Sequence, residues 1–224
     1  MKSVITVLLL AITTSVGAQT EPEYRMEVGA GAGLVSYVGD FNSNLLKNPQ
    51  GMFSVLAKYK FNPRMALGLT VGYGQLKVSA KDVKGHVPQQ WADYSFNNKV
   101  WDAGLRLECN FWPYGTGMEY RGAKRLTPYI IAGLGMTICK PEKTEVALNV
   151  PLGFGLKYKM ADRVNVAVEW AIHFTTSDLL DGVKDPYGIP SSGMFKNTDC
   201  YSQLQLTVSY DLWAKCKTCH NDRD

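Results

Sequence analysis

Two cysteines and a histidine near the C-terminus have the spacing of a cofactor-attachment motif. Cys216, Cys219 and His220 form the pattern C-x-x-C-H, which is typical of covalent haem attachment. The motif lies in a short tail after the last predicted strand, where no domain surrounds it to bury a porphyrin. We therefore expect no cofactor, and we interpret the two cysteines as a local disulfide or as a bridge to a partner protein.

Nucleophilic catalysis would need a serine, threonine or cysteine with a base within hydrogen-bond reach. The sequence has three histidines. His86 lies in a predicted loop beside Asp82, and His173 lies near a predicted strand end, close to Thr175. No ordered triad signature accompanies either histidine. We therefore predict that the protein is not an enzyme, and a lipase or protease that works at a barrel rim through His173 is the weaker alternative.

Several aspartates fall in predicted loops on one side of the molecule, where carboxylates could hold a calcium ion. Their spacing matches no known calcium loop, and aspartate is also common in turns because its side chain bonds to the nearby backbone. We expect turn-forming, solvated aspartates and no metal site. The residues concerned are Asp40, Asp178, Asp181, Asp185 and Asp199.

The N-terminus has the three parts of a secretory signal. Lys2 supplies a basic start, residues 4–16 are apolar apart from a few hydroxyl side chains, and Val16-Gly17-Ala18 is a small-residue cleavage site. A membrane anchor is the alternative, but the run is shorter than the ~20 apolar residues that a spanning helix needs. We predict that residues 1–18 are a cleaved signal peptide and that the mature chain starts at Gln19.

From residue 24 onward, apolar residues recur at every second position, which is the period of a β-strand. The pattern appears in eight runs of about ten residues, a length that spans a bilayer as a tilted strand. In each run one face is apolar and the other carries glycine, polar or charged residues. The runs are 24–34, 53–61, 64–74, 101–111, 129–138, 150–158, 164–174 and 203–212.

These runs predict an all-β fold, an eight-stranded antiparallel transmembrane β-barrel of the outer-membrane type. An even number of strands can close on itself, and a bilayer offers an open strand edge no hydrogen-bond partner. The alternatives are a soluble β-sandwich and a lipocalin-like barrel, which place the apolar face inward. Because the second face carries lysine, arginine and acidic residues, it fits a polar lumen better than a dry core.

Connection lengths predict the orientation of this barrel. We assign residues 19–213 to the barrel and residues 214–224 to a periplasmic tail that contains cysteine. The tight connections Asn62-Pro63 and Ala161-Asp162 suit the periplasmic side, which the longer segment 112–126 shares. The predicted outer loops are 38–52, 76–99, 140–149 and 175–202.

Eight strands enclose a lumen that side chains can fill, so a conducting pore is not expected. Charged residues on the second face would then neutralise one another across the lumen. We predict this role for Lys58, Lys60, Arg64, Arg106, Glu108, Lys157, Glu169 and Asp211.

Composition limits the kinds of partner. The formal net charge of +4 is too small to indicate nucleic acid. The 21 glycines, 12 tyrosines, 8 phenylalanines and 5 tryptophans fit a curved sheet with aromatic side chains at membrane interfaces. We expect contact with outer-membrane lipid and expect no small-molecule substrate.

Several motifs occur in an order that resembles the PorG-like outer-membrane barrels of the Bacteroidetes type IX secretion system. Tyr37, Gly39, Asp40 and Asn42 are similar to a signature at the end of that family's first strand. The segments 108–111, 127–135 and 150–158 resemble its strand motifs. Asp178 and Asp181 resemble its acidic motif in the last surface loop. The match extends over nearly the whole mature chain.

The resemblance implies a non-enzymatic part of a machine that exports folded cargo with a C-terminal sorting domain. Barrels of this family are associated with a periplasmic ring of PorK-type and PorN-type proteins. Our hypothesis is that the basic 112–126 segment and the tail form one docking surface for that ring. The candidate docking residues are Arg121, Lys124, Arg125, Lys215, Cys216, Lys217 and Cys219. A generic small barrel with an adhesion or membrane-structural role is the alternative.

Overall fold

The computed structural model describes residues 22–39, 45, 48–79, 94–116, 122–139, 144–177, 180 and 199–214. The predicted signal peptide and the tail after residue 214 lie outside this part of the chain. No helix within it has the length and hydropathy that a membrane-spanning helix needs.

Eight antiparallel strands form one closed barrel in which each strand pairs with its neighbours in the chain. The last strand pairs with the first from Tyr24↔Ala214 to Val38↔Cys200, so the sheet has no free edge. The predicted fold is thereby confirmed. The strands are β1 Tyr24–Val38, β2 Gln50–Asn62, β3 Met65–Ser79, β4 Ser95–Asn110, β5 Leu126–Cys139, β6 Glu145–Lys159, β7 Val164–Thr175 and β8 Cys200–Ala214.

The barrel has two unlike ends. The termini end carries the start of β1, the end of β8 and the connections 63–64, 111–125 and 160–163. The loop end carries the connections 39–49, 80–94, 140–144 and 176–199. The division into short and long connections follows the prediction, although the 140–144 connection is shorter than expected.

The large apolar side chains point outward, away from the lumen. Leu134 is 72% exposed and Phe53 is 69% exposed, whereas the charged side chains of Glu27 and Asp211 are buried. A fold with large apolar side chains on its surface and charged side chains inside is stable only where lipid surrounds it. This arrangement excludes the sandwich and the lipocalin-like barrel, and it defines a transmembrane β-barrel.

Strands β1, β3 and β4 continue past the predicted limits at the loop end, and there large apolar side chains face inward. The first residues of β4 place Phe96 and Val100 inside the barrel and Asn97 and Lys99 outside it. A strand that rises above the lipid meets water on its outer face, so its apolar side chains turn inward. A search for an apolar outward face therefore starts this strand six residues late, at Trp101 rather than Ser95.

Glycine at position 33 allows β1 and β8 to approach closely inside the barrel. A Cβ atom there would contact the carbonyl oxygen of Leu204 and lie 2.6 Å from the Cα atom of Gln205. These are backbone atoms, which cannot swing aside. We therefore expect Gly33→Ala to lower the free energy of unfolding by about 1–3 kcal/mol, the range for overpacked sites.

Unfolding by urea in lipid vesicles would measure this loss. Gly51→Ala is the matched control, because Gly51 is exposed and a Cβ atom there meets nothing within 4 Å. Equal stability of the two variants would contradict the close approach.

Candidate functional site

The lumen of the barrel is the most concentrated group of functional side chains in the described part of the chain. Five cations and five carboxylates take part in its ion pairs, so the charges balance. The cations are Lys58, Lys60, Arg106, Lys157 and Lys159, and the carboxylates are Glu27, Asp102, Glu108, Glu169 and Asp211.

Two carboxylates near the termini end each bridge a pair of lysines. Glu108 pairs with Lys157 and also accepts a hydrogen bond from Lys58 Nζ at 2.7 Å. Asp211 pairs with Lys60 and Lys159, each at 2.5 Å. These carboxylates are almost fully buried, so each lysine depends on them for the interactions that water would otherwise supply.

The mutual neutralisation predicted for the lumen holds for all but one of its members. Arg64 is exposed in the turn between β2 and β3, and its backbone N–H donates to Asn62 Oδ1 at 2.8 Å. The strict alternation of a strand ends at Asn62, where the register with β3 shifts. Glu27, Asp102 and Lys159 belong to the network although the prediction did not include them.

His173 faces the lumen two residues from the loop end of β7 and is fully buried. Its ring stacks on Tyr201 at 4.3 Å, and its Nε2 atom lies 2.9 Å from Gln203 Oε1. Asp102 Oδ2, 3.7 Å from the imidazole, also accepts a hydrogen bond from the Tyr201 hydroxyl. The histidine is therefore part of a buried polar network rather than the solvent-facing base that a rim enzyme would need.

The two cavities that described residues line within the lumen are small. A cavity of about 20 Å³ lies beside Lys58, Arg106 and Glu169, and one of about 10 Å³ lies at the termini end. A single water molecule needs about 10–15 Å³ of such volume. These cavities are too small for a continuous water path, which agrees with the prediction that side chains fill the lumen.

A buried apolar cluster closes the loop end of the barrel, and Leu180 of the 176–199 connection is part of it. Leu180 is fully buried against apolar side chains of several strands, including Leu76 and Val100. Its backbone N–H donates to Asp199 Oδ2 at 3.0 Å, and its carbonyl oxygen accepts from Asn98 Nδ2 at 2.9 Å. Leu180 thus acts as a stopper in the loop-end mouth of the barrel.

Tyr37 and Gly39, two of the predicted motif residues, belong to this stopper. The Tyr37 hydroxyl donates to Asp199 Oδ1, and a Cβ atom at Gly39 would collide with both groups. The prediction of a solvated Asp199 was therefore wrong, because this side chain is buried and holds the connection in place. The remaining motif residues, Asp40, Asn42, Asp178 and Asp181, lie outside the described residues.

The termini end is closed by Tyr114, from the connection between β4 and β5. The Tyr114 hydroxyl donates to Asn165 Oδ1 at 2.8 Å, and Lys157 Nζ lies 4.6 Å from the centre of its ring. Burial, together with the nearby carboxylates of Glu27 and Asp211, raises the pKa of the Tyr114 phenol. The group therefore stays neutral and keeps its donor proton.

Hydrogen bonds also fix other described residues of this connection against the chain on either side. The backbone N–H of Tyr114 donates to the Pro63 carbonyl at 3.0 Å, and the Thr116 hydroxyl donates to Glu23 Oε1 at 2.7 Å. Arg125 Nε donates to the Thr116 carbonyl at 2.8 Å. The described residues of this connection, 111–116 and 122–125, therefore form a hydrogen-bonded plug at the termini end.

Two of the predicted docking residues lie exposed on this plug. Lys124 Nζ stands 4.4 Å from the centre of the exposed Trp112 indole, and Arg125 is its neighbour. Both belong to the termini end, as the prediction required. Arg121, Lys215, Cys216, Lys217 and Cys219 lie outside the described residues, so their place beside the plug stays a prediction.

Sequence reasoning missed the two residues that close the barrel, Tyr114 and Leu180. Each lies in a connection, where no periodic pattern indicates which side chain turns inward. The described residues also include no group of three or more His, Cys, Asp or Glu side chains that could hold a metal ion.

The fold and its contents define a class: a small transmembrane β-barrel with a charge-balanced, filled lumen that is closed at both ends. The chain matches the family described as Domain of unknown function (DUF6089) over residues 1–221, and it belongs to that family. No protein with a curated description matches the sequence.

Solved structures of small outer-membrane barrels resemble this chain. Neisserial surface protein A is 15% identical, with a TM-score of 0.49 over 84% of this chain and 97% of that one. Ail of Yersinia pestis, solved with the heparin analogue sucrose octasulfate, is 10% identical, with a TM-score of 0.46 over 86% and 100%. OprG of Pseudomonas aeruginosa is 12% identical, with a TM-score of 0.46 over 88% and 100%.

Proposed function

We propose that this protein is a non-enzymatic, structural barrel of the bacterial outer membrane, and that it serves the type IX secretion system as a docking site for its PorK/PorN-type periplasmic ring. The filled lumen is the observation that carries the first part. Among the described residues, ion pairs, Tyr114 and Leu180 block the lumen, so we infer that the barrel acts through the surfaces that it presents.

The type IX assignment is supported by the ordered motifs that resemble PorG-like barrels. Tyr37 of the first motif and Leu180, which precedes the second motif's Asp181 in the chain, belong to one buried cluster at the loop end, and both donate to Asp199. Residues that are distant in sequence but form one structural unit make a shared signature more specific than either motif alone.

The proposed orientation places the termini end in the periplasm. Connections of two and four residues, 63–64 and 160–163, lie at that end, and short turns are typical of the periplasmic side of such barrels. The 111–125 connection is the exception. Lys124 and Arg125 are tied to the described plug residues by hydrogen bonds to Pro113 and Thr116, and a preorganised surface loses little entropy on binding.

Two changes of charge on the plug test the docking role. We expect Lys124→Glu together with Arg125→Glu to reduce co-purification of PorK-type and PorN-type proteins by about tenfold or more, because a pair of attractive charges becomes repulsive. The matched control is Lys77→Glu together with Lys99→Glu, two exposed lysines at the loop end. Quantitative mass spectrometry of partners captured with the full-length barrel would measure the effect.

A strain that lacks the gene tests the secretion role itself. We expect loss of surface display of cargo with C-terminal sorting domains, and recovery with the wild-type gene. Normal display would remove the secretion role and favour an adhesion or membrane-structural role. For the charge variants, heat-modifiable gel mobility would check that both double variants are folded. If both then captured equal amounts of the ring proteins, docking through the plug would be contradicted.

A further inference from the structure

The lipid-facing surface of the barrel is concave across four neighbouring strands. A groove of about 580 Å³ runs over the outer face of the sheet where β7, β8, β1 and β2 adjoin. The depression is shallow and open to the lipid along its length, which suits an acyl chain lying flat on the surface rather than an enclosed ligand. Its outward-facing lining is entirely apolar apart from one tyrosine hydroxyl: Val28, Ala30, Val55, Val164, Val208 and Tyr210.

Small side chains on β1 produce the groove. Ala30 lies between Val55 of β2 and Val208 of β8 in the sheet, and it is flanked along β1 by Val28 and Ala32. The adjacent strands carry larger exposed side chains, Phe53 and Tyr59 on β2 and Leu206 and Tyr210 on β8, so β1 forms the floor of a trough. A floor of alanine and valine leaves room for a chain of methylene groups to lie against the barrel.

A cation marks the foot of the groove at the termini end. Arg163 comes directly before Val164, which pairs with the lining residue Tyr210 on β8. Arg163 Nη1 donates a hydrogen bond to the Tyr210 hydroxyl at 3.4 Å. The guanidinium also lies 5.7 Å from the centre of the Tyr24 ring. The side chain is exposed, and no carboxylate in the described ranges forms an ion pair with it.

We propose that this groove binds one phospholipid with an anionic headgroup, whose acyl chain lies over Ala30 and whose phosphate pairs with Arg163. Arginine suits a phosphate because its planar guanidinium presents several donors at once. The hydrogen bond to Tyr210 holds the guanidinium at the end of the apolar trough, where a phosphate would emerge from the hydrocarbon layer.

Charge complementarity favours a lipid with net negative charge. The exposed side chains described at the termini end include five cations and one carboxylate: Arg25, Arg64, Lys124, Arg125, Arg163 and Asp162. The net positive charge of this rim attracts anionic headgroups more strongly than zwitterionic headgroups. The site requires only that the barrel lies in a bilayer, so its failure would leave the secretion proposal untouched.

Lipid retention by the full-length barrel tests the proposal. The protein is reconstituted in nanodiscs of phosphatidylcholine with one-fifth phosphatidylglycerol, extracted in mild detergent, and analysed by native mass spectrometry. We expect retention of one phosphatidylglycerol molecule, and about tenfold less retention in Arg163→Gln and in Ala30→Phe. The first variant removes the charge, and the second fills the trough without touching the lumen.

Matched controls separate this site from the general lipid layer. Arg64→Gln removes a cation from another turn of the same rim, and Ala132→Phe enlarges an exposed outward alanine on β5, away from the groove. Both controls should retain lipid as the wild type does. Equal retention by all variants, or no preference for phosphatidylglycerol, would overturn the proposal. So would a dimer of the barrel that the wild type forms and Ala30→Phe does not, because the groove would then bind a second protein copy.

Discussion

Glu108→Gln is expected to lower the free energy of unfolding by about 3–5 kcal/mol, the usual cost of removing one member of a buried ion pair. Glu108 neutralises both Lys58 and Lys157, so the amide would leave two lysines with too little negative charge beside a cavity of only about 20 Å³. Urea-induced unfolding in lipid vesicles, followed by tryptophan fluorescence, measures the loss.

Two further variants identify the cause of that loss. Asp162→Asn removes an exposed carboxylate from a turn at the same end and should change stability by less than about 0.5 kcal/mol. Glu108→Gln combined with Lys157→Met removes a charge of each sign, and it should recover a large part of the loss. If Glu108→Gln cost no more than Asp162→Asn, the lumen would be well hydrated and the filled-barrel interpretation would be wrong.

Asp199→Ala is expected to release the stopper at the loop end without opening the barrel wall. The carboxylate accepts hydrogen bonds from the Tyr37 hydroxyl and the Leu180 backbone, both of which would lose a buried partner. The penalty for an unsatisfied buried group is about 1–3 kcal/mol. Trypsin cleavage after Lys184 or Lys196, in the same connection, should then become about tenfold faster or more.

Thr176→Ala provides the comparison for this experiment. Its exposed hydroxyl donates to the Leu148 carbonyl at 3.3 Å, in the same connection but away from the stopper. We expect it to be cut at the wild-type rate, with heat-modifiable gel mobility unchanged in both variants. A rate for Asp199→Ala that matches Thr176→Ala would show that Asp199 does not hold the connection closed.

Much of the barrel wall could be predicted from the sequence because the alternation of side chains is a local property of a strand. Leu69 and Phe154 lie on apolar faces of their runs, and both are about half exposed on the outside of the barrel. Lys157 and Glu169 lie on the opposite faces of theirs, and both are buried inside. Neither assignment needs knowledge of which strand lies beside which.

The candidate site could be predicted only in part. Alternation indicated that charges face the lumen, but it failed for Arg64, where the strand gives way to a turn. It also failed at the start of β4, because the rule for which face is apolar reverses where the strand leaves the lipid. The motif placed Tyr37 at the loop end of the first strand, where the structure has it. It did not reveal that the Tyr37 hydroxyl donates to Asp199.

The sequence by itself determined the number of strands, the face of each strand that meets lipid and the sign of the charges inside. Only the tertiary structure decided which charges meet, as for Lys58 and Glu108, 50 positions apart in the chain. Such contacts depend on the register of neighbouring strands and on side-chain reach across the lumen. It also decided that Tyr114 and Leu180 close the barrel, because connections have no period and their path depends on the space that the strands leave open.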